Sequence, residues 1–265
     1  MDKNFIKSVF TNDNNCEILL PKEGFFNKNI DYCDIFQKRN DHEVLFRQIN
    51  TFLINSKIIK GNIIDLGAWI GDNSLPWAKN IDGIVFAIDP SPDNCKFINE
   101  ISFLNNIQNI VTIQEVVSDV EKVVSTNDNL YHASFQKNES GTNKINSTTL
   151  DSLYKQKKLY SVDYIHLDVE GMERQVIIGA QSLITDNQPI ITFEQHISWE
   201  DYQGLCNVLN KKGYETFLIN EILPGCMPDC RNFLAIPERL SGEKIVDKIK
   251  INFNNQFILQ EITTI

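Results

Sequence analysis

The run Gly61-Asn62-Ile63-Ile64-Asp65-Leu66-Gly67-Ala68-Trp69-Ile70-Gly71-Asp72-Asn73-Ser74 constrains the fold more than any other part of the chain. An apolar strand ends near Asp65, Gly67 allows a tight backbone turn, Gly71 allows close approach, and a helix begins at once afterwards. A strand, glycine turn and helix in that order build a cradle for a small molecule. Its glycines are spaced G-x3-G, without the G-x-G-x-x-G pyrophosphate loop expected of a nicotinamide-dependent dehydrogenase. The next apolar strand, Ile84-Val85-Phe86-Ala87-Ile88-Asp89, ends in a carboxylate about 20 residues on, the spacing of dinucleotide sites. Asp89 there can accept both ribose hydroxyls of an adenosine. It can equally cap the helix that opens at Pro90-Ser91-Pro92.

Around the cradle, short apolar runs alternate with helical stretches, which predicts a doubly wound, mostly parallel α/β sheet. Strands are expected near 62–66, 84–89, 110–114, 162–168 and 190–194, and helices over 72–80, 92–105, 173–184 and 199–212. Val44, Leu45, Ile49, Phe52 and Leu53 recur at helical spacing and predict a helix ahead of the first core strand. Two late runs, 215–219 and 232–236, are joined by about a dozen residues and suit an antiparallel pair at the sheet edge. Residues 1–40 are polar and Asn-rich and read as an N-terminal extension, 41–240 as the main domain, and 241–265 as a tail packing on it. The Asn-, Ser- and Thr-rich segment Val120–Asn146 is too long for an ordinary connector and reads as a binding loop or lid.

Charge and composition exclude several functions. A net charge of −10 opposes the phosphate attraction that nucleic-acid binders use, and the short basic run Lys155-Gln156-Lys157-Lys158 suits a solvated surface. No apolar run of about 18 residues is present for a membrane span, and the first residues lack a signal-peptide core. A cytoplasmic protein with reduced thiols is expected, because the six cysteines are scattered. Cys226 and Cys230 form a lone C-x3-C pair, better suited to turn and packing roles than to a metal.

These motifs resemble those of the FkbM-type methyltransferases. Asp65-Leu66-Gly67-Ala68-Trp69-Ile70-Gly71-Asp72 is similar to the family's first motif, and Ala87-Ile88-Asp89-Pro90-Ser91-Pro92-Asp93-Asn94 to its second. Thr149-Leu150-Asp151-Ser152-Leu153 resembles the stretch that introduces the fourth core strand. That strand runs into Asp168-Val169-Glu170-Gly171, the family's most specific signature, with Glu173 and the Gly179-Ala180 pair following. The resemblance spans 61 to about 214. It implies the seven-stranded sheet of S-adenosylmethionine-dependent methyltransferases, with O-methylation of a sugar, glycan or related hydroxyl as the reaction. The donor would lie on Asp65, Gly67, Ala68, Trp69, Gly71, Asp72, Asn73 and Ser74, with Asp89, Pro90, Ser91 and Asn94 at the ribose and Glu115 and Val116 at the adenine. Three positions depart from the family's common residues: Trp69 replaces Asn, Asp89 replaces Glu with a shorter reach, and His166 replaces Lys. A buried strand position is the plain reading of His166.

Methyl transfer needs the acceptor oxygen in line with the methyl carbon and sulfur, and a base for its proton. Ligands of open α/β sheets bind at the carboxyl ends of the strands. The catalytic candidates are therefore Asp168, Glu170, Glu194 and His196, and the sequence leaves open which of them is the base. Glu194 and His196 alternate along a strand and share a face. A carboxylate-rich rim with one histidine can also hold a divalent cation, to which the sequence does not commit. A small-molecule or glycan acceptor is expected, with the oligomeric state left open. A nicotinamide-dependent oxidoreductase and a non-catalytic nucleoside-binding module are the alternatives.

Overall fold

The computed structural model describes residues 5–22, 32–126, 143–198, 200–221 and 228–262. The first described elements are a hairpin of β1 (Phe5–Phe10) and β2 (Cys16–Pro21), then α1 (Tyr32–Lys38), a 3₁₀ turn at Arg39–Asp41 and α2 (Val44–Asn55). The hairpin was not foreseen, because its connection, Thr11 to Asn15, reads as featureless polar chain. Asn14 and Asn15 both take left-handed backbone there, with φ of 57° and 52°, a conformation asparagine tolerates better than most residues. The apolar side of the hairpin, Phe10, Ile18 and Leu20, is fully buried and packs with Phe36 of α1.

The parallel core follows as β3 (Asn62–Leu66), α3 (Ser74–Asn80), β4 (Val85–Ile88), α4 (Pro92–Leu104) and β5 (Ile110–Ile113). All five residues of β3 are buried, as befits a central strand covered on both faces. Its alternation divides the core: Ile63 joins the cluster containing the hairpin and α2, whereas Ile64 and Leu66 join the opposite one. Ser91 caps α4 by accepting from the Asn94 amide at 3.3 Å, with Pro92 at the first helical position.

Next come β6 (Val116–Val117), β7 (Lys122–Thr126) and β8 (Asn143–Thr148), which form a separate three-stranded sheet in the order β6-β8-β7. The ends of the segment expected to be a loop are thus strands, and residues 127–142 between them lie outside the described residues. The chain continues through α5 (Leu150–Lys155), β9 (Val162–Leu167), α6 (Glu173–Ile178), α7 (Gln181–Asn187) and β10 (Ile190–His196). The single helix expected over 173–184 is two. They part at Gly179, where a Cβ would lie 2.2 Å from the Ser118 carbonyl oxygen.

Finally, α8 (Tyr202–Asn210), β11 (Tyr214–Ile219), β12 (Cys230–Pro237), α9 (Ile245–Asn252) and β13 (Leu259–Glu261) complete the described chain. The main sheet has the order β13-β11-β12-β10-β9-β3-β4-β5. Its five strands from β10 to β5 are parallel, and β12 lies antiparallel to both β10 and β11. This is the expected doubly wound sheet with an antiparallel pair at one edge. It has eight strands rather than seven because β13 adds antiparallel beside β11.

Candidate active site

The cradle is set by backbone contacts. Gly67 has φ of 83°, and a Cβ there would lie 1.8 Å from the Asp168 carbonyl oxygen. Only glycine permits the loop after β3 to lie against the loop after β9. Trp69 also sits in the left-handed region, at φ 45°, where a bulky residue is strained. Its amide donates to Asp89 Oδ2 at 2.9 Å, which helps hold it there. Beneath the loop, the Ser74 hydroxyl donates to the buried Asp65 carboxylate. Burial raises the Asp65 pKa to about 7, and its Oδ1 has no hydrogen-bond partner among the described residues.

Asp89 stands immediately after β4, and it is only 5% exposed. Besides Trp69, it accepts from the Ser91 amide at 2.8 Å and from Asn94 Nδ2 at 3.0 Å, both on Oδ1. Three of roughly four lone-pair positions are thereby used within the protein. Burial outweighs these bonds and raises its pKa to about 6. Ser91, Asn94 and Ser74 are buried in these internal bonds, and so brace the cradle from behind. Glu115 is half-buried just past β5, and Val116 is buried in β6.

The N-terminal region supplies a wall that sequence reasoning missed. Arg39 and Arg47 are almost fully buried. Both donate to Asn73 Oδ1, and both reach Asp72 Oδ2, Arg47 Nη2 at 3.0 Å and Arg39 Nε at 3.6 Å. Arg39 also pairs with buried Asp13 of the hairpin turn and lies over the Phe10 ring, 4.9 Å from its centroid. Arg47 pairs with Glu43 at 2.8 Å, and Asn232 of β12 donates to the other Glu43 oxygen at 2.8 Å. Although burial opposes the charge on Glu43, Arg47 and His42 hold its carboxyl well below the ordinary range. A cavity of about 440 Å³ opens here, lined by Lys38, Arg39, His42, Arg47, Trp69 and Asp72 among others. The available signal was polar residues on an apolar face: Arg47 and Asn50 lie among buried Phe46, Ile49, Leu53 and Ile54 of α2.

Across the Gly67–Asp168 contact, the four catalytic candidates converge. Asp168, Glu170, Glu194 and His196 close on one another in a tight recess together with Gly171, Glu173 and Glu200, with almost no free space between them. Among the described residues that line it there is no lysine or arginine. Burial raises Asp168 well above the usual carboxylate range, and neighbouring Glu194 and Glu170 push the same way. Glu173, not singled out from sequence as a site residue, accepts from the Val169 amide at 2.9 Å and from Gln195 Nε2 at 2.8 Å, bracing the signature loop. Glu200 accepts from the His196 amide at 2.6 Å. Glu170 takes φ of 53° and is exposed at the mouth.

The model of the FkbM methyltransferase domain matches residues 65–216, more than half of the chain. The chain belongs to the FkbM methyltransferase domain family. A search of curated proteins finds no match. Among solved structures, the chain is similar to a methyltransferase FkbM from Methylobacillus flagellatus KT, at 15% identity and a TM-score of 0.48, over 66% of this chain and 43% of that one. It thus spans less than half the length of that structure. A putative O-methyltransferase from Klebsiella pneumoniae aligns at 9% identity and a TM-score of 0.47, over 73% of this chain and 79% of its own. Trm5b from Pyrococcus abyssi aligns at 16% identity and 0.43, over 89% and 56%.

Within this FkbM-family chain, the position of the departing His166 is structural. It is 2% exposed in β9, packs between Phe46 and Trp77, and bonds Thr192 Oγ1 through Nδ1 at 3.1 Å. Burial lowers its pKa to about 4, so it is neutral at physiological pH. Cys16, Cys33, Cys95, Cys206 and Cys230 are buried, while Cys226 lies outside the described residues. Among the described residues, no helix is long and apolar enough to cross a membrane.

Proposed function

We propose that this chain transfers a methyl group from S-adenosylmethionine to a hydroxyl of a small-molecule or glycan acceptor, as an O-methyltransferase. The observation that carries this reading is the meeting of the glycine cradle and the acidic recess across the Gly67–Asp168 contact. When bound, the donor supplies an electrophilic methyl on a sulfonium that leaves as a neutral thioether.

The residues present suit that donor. The cavity lined by Lys38, Arg39, Asp41, Arg47, Trp69 and Asp72 is assigned to the methionine half of the donor, whose carboxylate would meet Lys38 and whose ammonium would meet Asp72, the two arginines serving as its wall. Asp89 keeps one lone-pair position on Oδ2 for a ribose hydroxyl. Adenine is assigned to the end of β5 at Glu115 and Val116. The acceptor is assigned to the mouth of the recess, with only its hydroxyl reaching the group of Asp168, Glu170, Glu194 and His196, which orient it and supply the base. Because burial favours protonated Asp168, Asp168 is better placed to donate a hydrogen bond than to accept the proton.

The test is calorimetry with S-adenosylhomocysteine on the full chain, paired with donor consumption against nucleotide sugars and glycans. Donor binding with acceptor-dependent turnover is expected. Stabilisation by NAD but not by S-adenosylhomocysteine in a thermal-shift comparison would overturn the reading.

A further inference from the structure

We propose that Glu194, His196 and Cys230 bind a divalent transition-metal ion of the zinc type beside the acidic recess. The pairing of β10 with β12 places His196 directly opposite Cys230, so their side chains leave the same face. Glu194 lies two residues back along β10, also on that face. A carboxylate oxygen, a ring nitrogen and the Cys230 sulfur lie within 4.8 Å of one another. Bonds of about 2.0 to 2.3 Å to a single ion would draw them together with small side-chain adjustments.

A second observation is the support behind the histidine. His196 Nδ1 lies 3.5 Å from Asp229 Oδ1, and the Ser198 amide and hydroxyl both donate to Asp229 Oδ2. The other ring nitrogen, Nε2, is 3.9 Å from Glu194 Oε1. A carboxylate that orients one ring nitrogen while the other faces a ligand is the usual support of a metal-bound histidine. The site is also sheltered: the His196 and Glu194 side chains keep 11% and 15% of their surface, and Cys230 is fully buried.

The donor set decides the kind of ion. Thiolate with imidazole and a single carboxylate selects zinc-like ions, whereas magnesium and calcium take oxygen ligands alone. Neighbouring Asp168 and Glu170, without a lining lysine or arginine, add favourable charge for a cation. Three protein ligands leave a fourth position open towards the recess. On the methyl-transfer reading, Glu194 and His196 would then hold the ion rather than take the proton; a hydroxyl at the open position would have its pKa lowered, with Glu170 of the recess left to receive the proton. The metal site itself does not depend on that reading.

Chelator-treated full-length protein titrated with Co²⁺ tests the site. One ion per chain is expected, with a thiolate-to-cobalt charge-transfer band. Cys230→Ala should abolish the band, and Asp229→Asn, a change of a partly exposed residue, should weaken binding about 10- to 100-fold while keeping it. No stoichiometric binding, binding without the band in the unmutated protein, or unchanged affinity in Asp229→Asn would overturn the proposal. S-adenosylhomocysteine calorimetry on the same samples separates the two readings: donor binding without metal binding sinks the metal site, and metal binding without donor binding sinks methyl transfer.

Discussion

At the glycine-loop end of the cleft, Arg39 and Arg47 are buried against Asp13, Glu43 and Asp72, so each charge has an opposite partner. At the recess, carboxylates of Asp168, Glu170, Glu173, Glu194 and Glu200 gather with His196. Burial acts on both ends alike, yet the outcomes differ. Glu43 is held ionised by its arginine, while Asp168 and Glu173 are pushed towards the protonated form. The first end resembles a finished structural joint, and the second an arrangement completed by a cation or a proton. Functional sites keep such unbalanced charge more often than structural ones do.

The sharpest way to break this contrast is His196→Ala. Turnover should fall by about 10² to 10⁴ while donor affinity stays nearly unchanged, because the residue belongs to the acceptor end. Steady-state kinetics and calorimetry would show both. Full turnover in that variant would move the essential chemistry to the carboxylates and make Asp168→Asn the next variant.

Arg47→Met probes the other end. It leaves buried Glu43 without its arginine and Asp72 with Arg39 alone, so the unfolding free energy should fall by about 3 to 5 kcal/mol. Chemical denaturation measures it, and a loss under 1 kcal/mol would show that the joint is not structural. A smaller effect is expected at the junction. Asp89→Ala should weaken S-adenosylhomocysteine binding by about 1.5 to 3 kcal/mol, roughly 10- to 150-fold. Since Asp89 also holds the Trp69 and Ser91 amides, unfolding should be followed in parallel to separate loop collapse from a lost ribose contact.

The smallest effect is a pH slope at the recess. Burial raises the Glu173 pKa from 4.5 to about 8. Between those values the folded state holds a proton that the unfolded state releases, so stability falls as pH rises through the window. Glu173→Gln removes the titration and should flatten that slope, by at most about 1.4 kcal/mol per pH unit. Parallel slopes for the two proteins in pH-resolved denaturation would show that Glu173 is not the titrating group.

Most of the central sheet was legible because its strands are buried on both faces and read as apolar runs, as in Val85-Phe86-Ala87-Ile88. The convergence of Asp168, Glu170, Glu194 and His196 was legible too, since strand ends in a parallel sheet share one edge. The hairpin was not. Its left-handed asparagines at 14 and 15 are conformations that composition does not announce. Nor was the break at Gly179, because it depends on the Ser118 carbonyl arriving from a segment about 60 residues earlier in the chain.

The sequence by itself determined the periodic part of this protein: which strands are central, where the glycine turn falls, and which carboxylates stand at strand ends. These are local properties, written in spacing and residue type. Only the tertiary structure decided what those groups do next. It commits Asp72 and Asn73 to Arg39 and Arg47, turns Asp89 inward onto Trp69, Ser91 and Asn94, and sets Cys230 opposite His196. Apart from the local bonds of Asp89 to Ser91 and Asn94, these join residues 20 or more positions apart through backbone register or a buried charge. Their free energy depends on desolvation and on the partner present, neither of which a single residue carries in its own type.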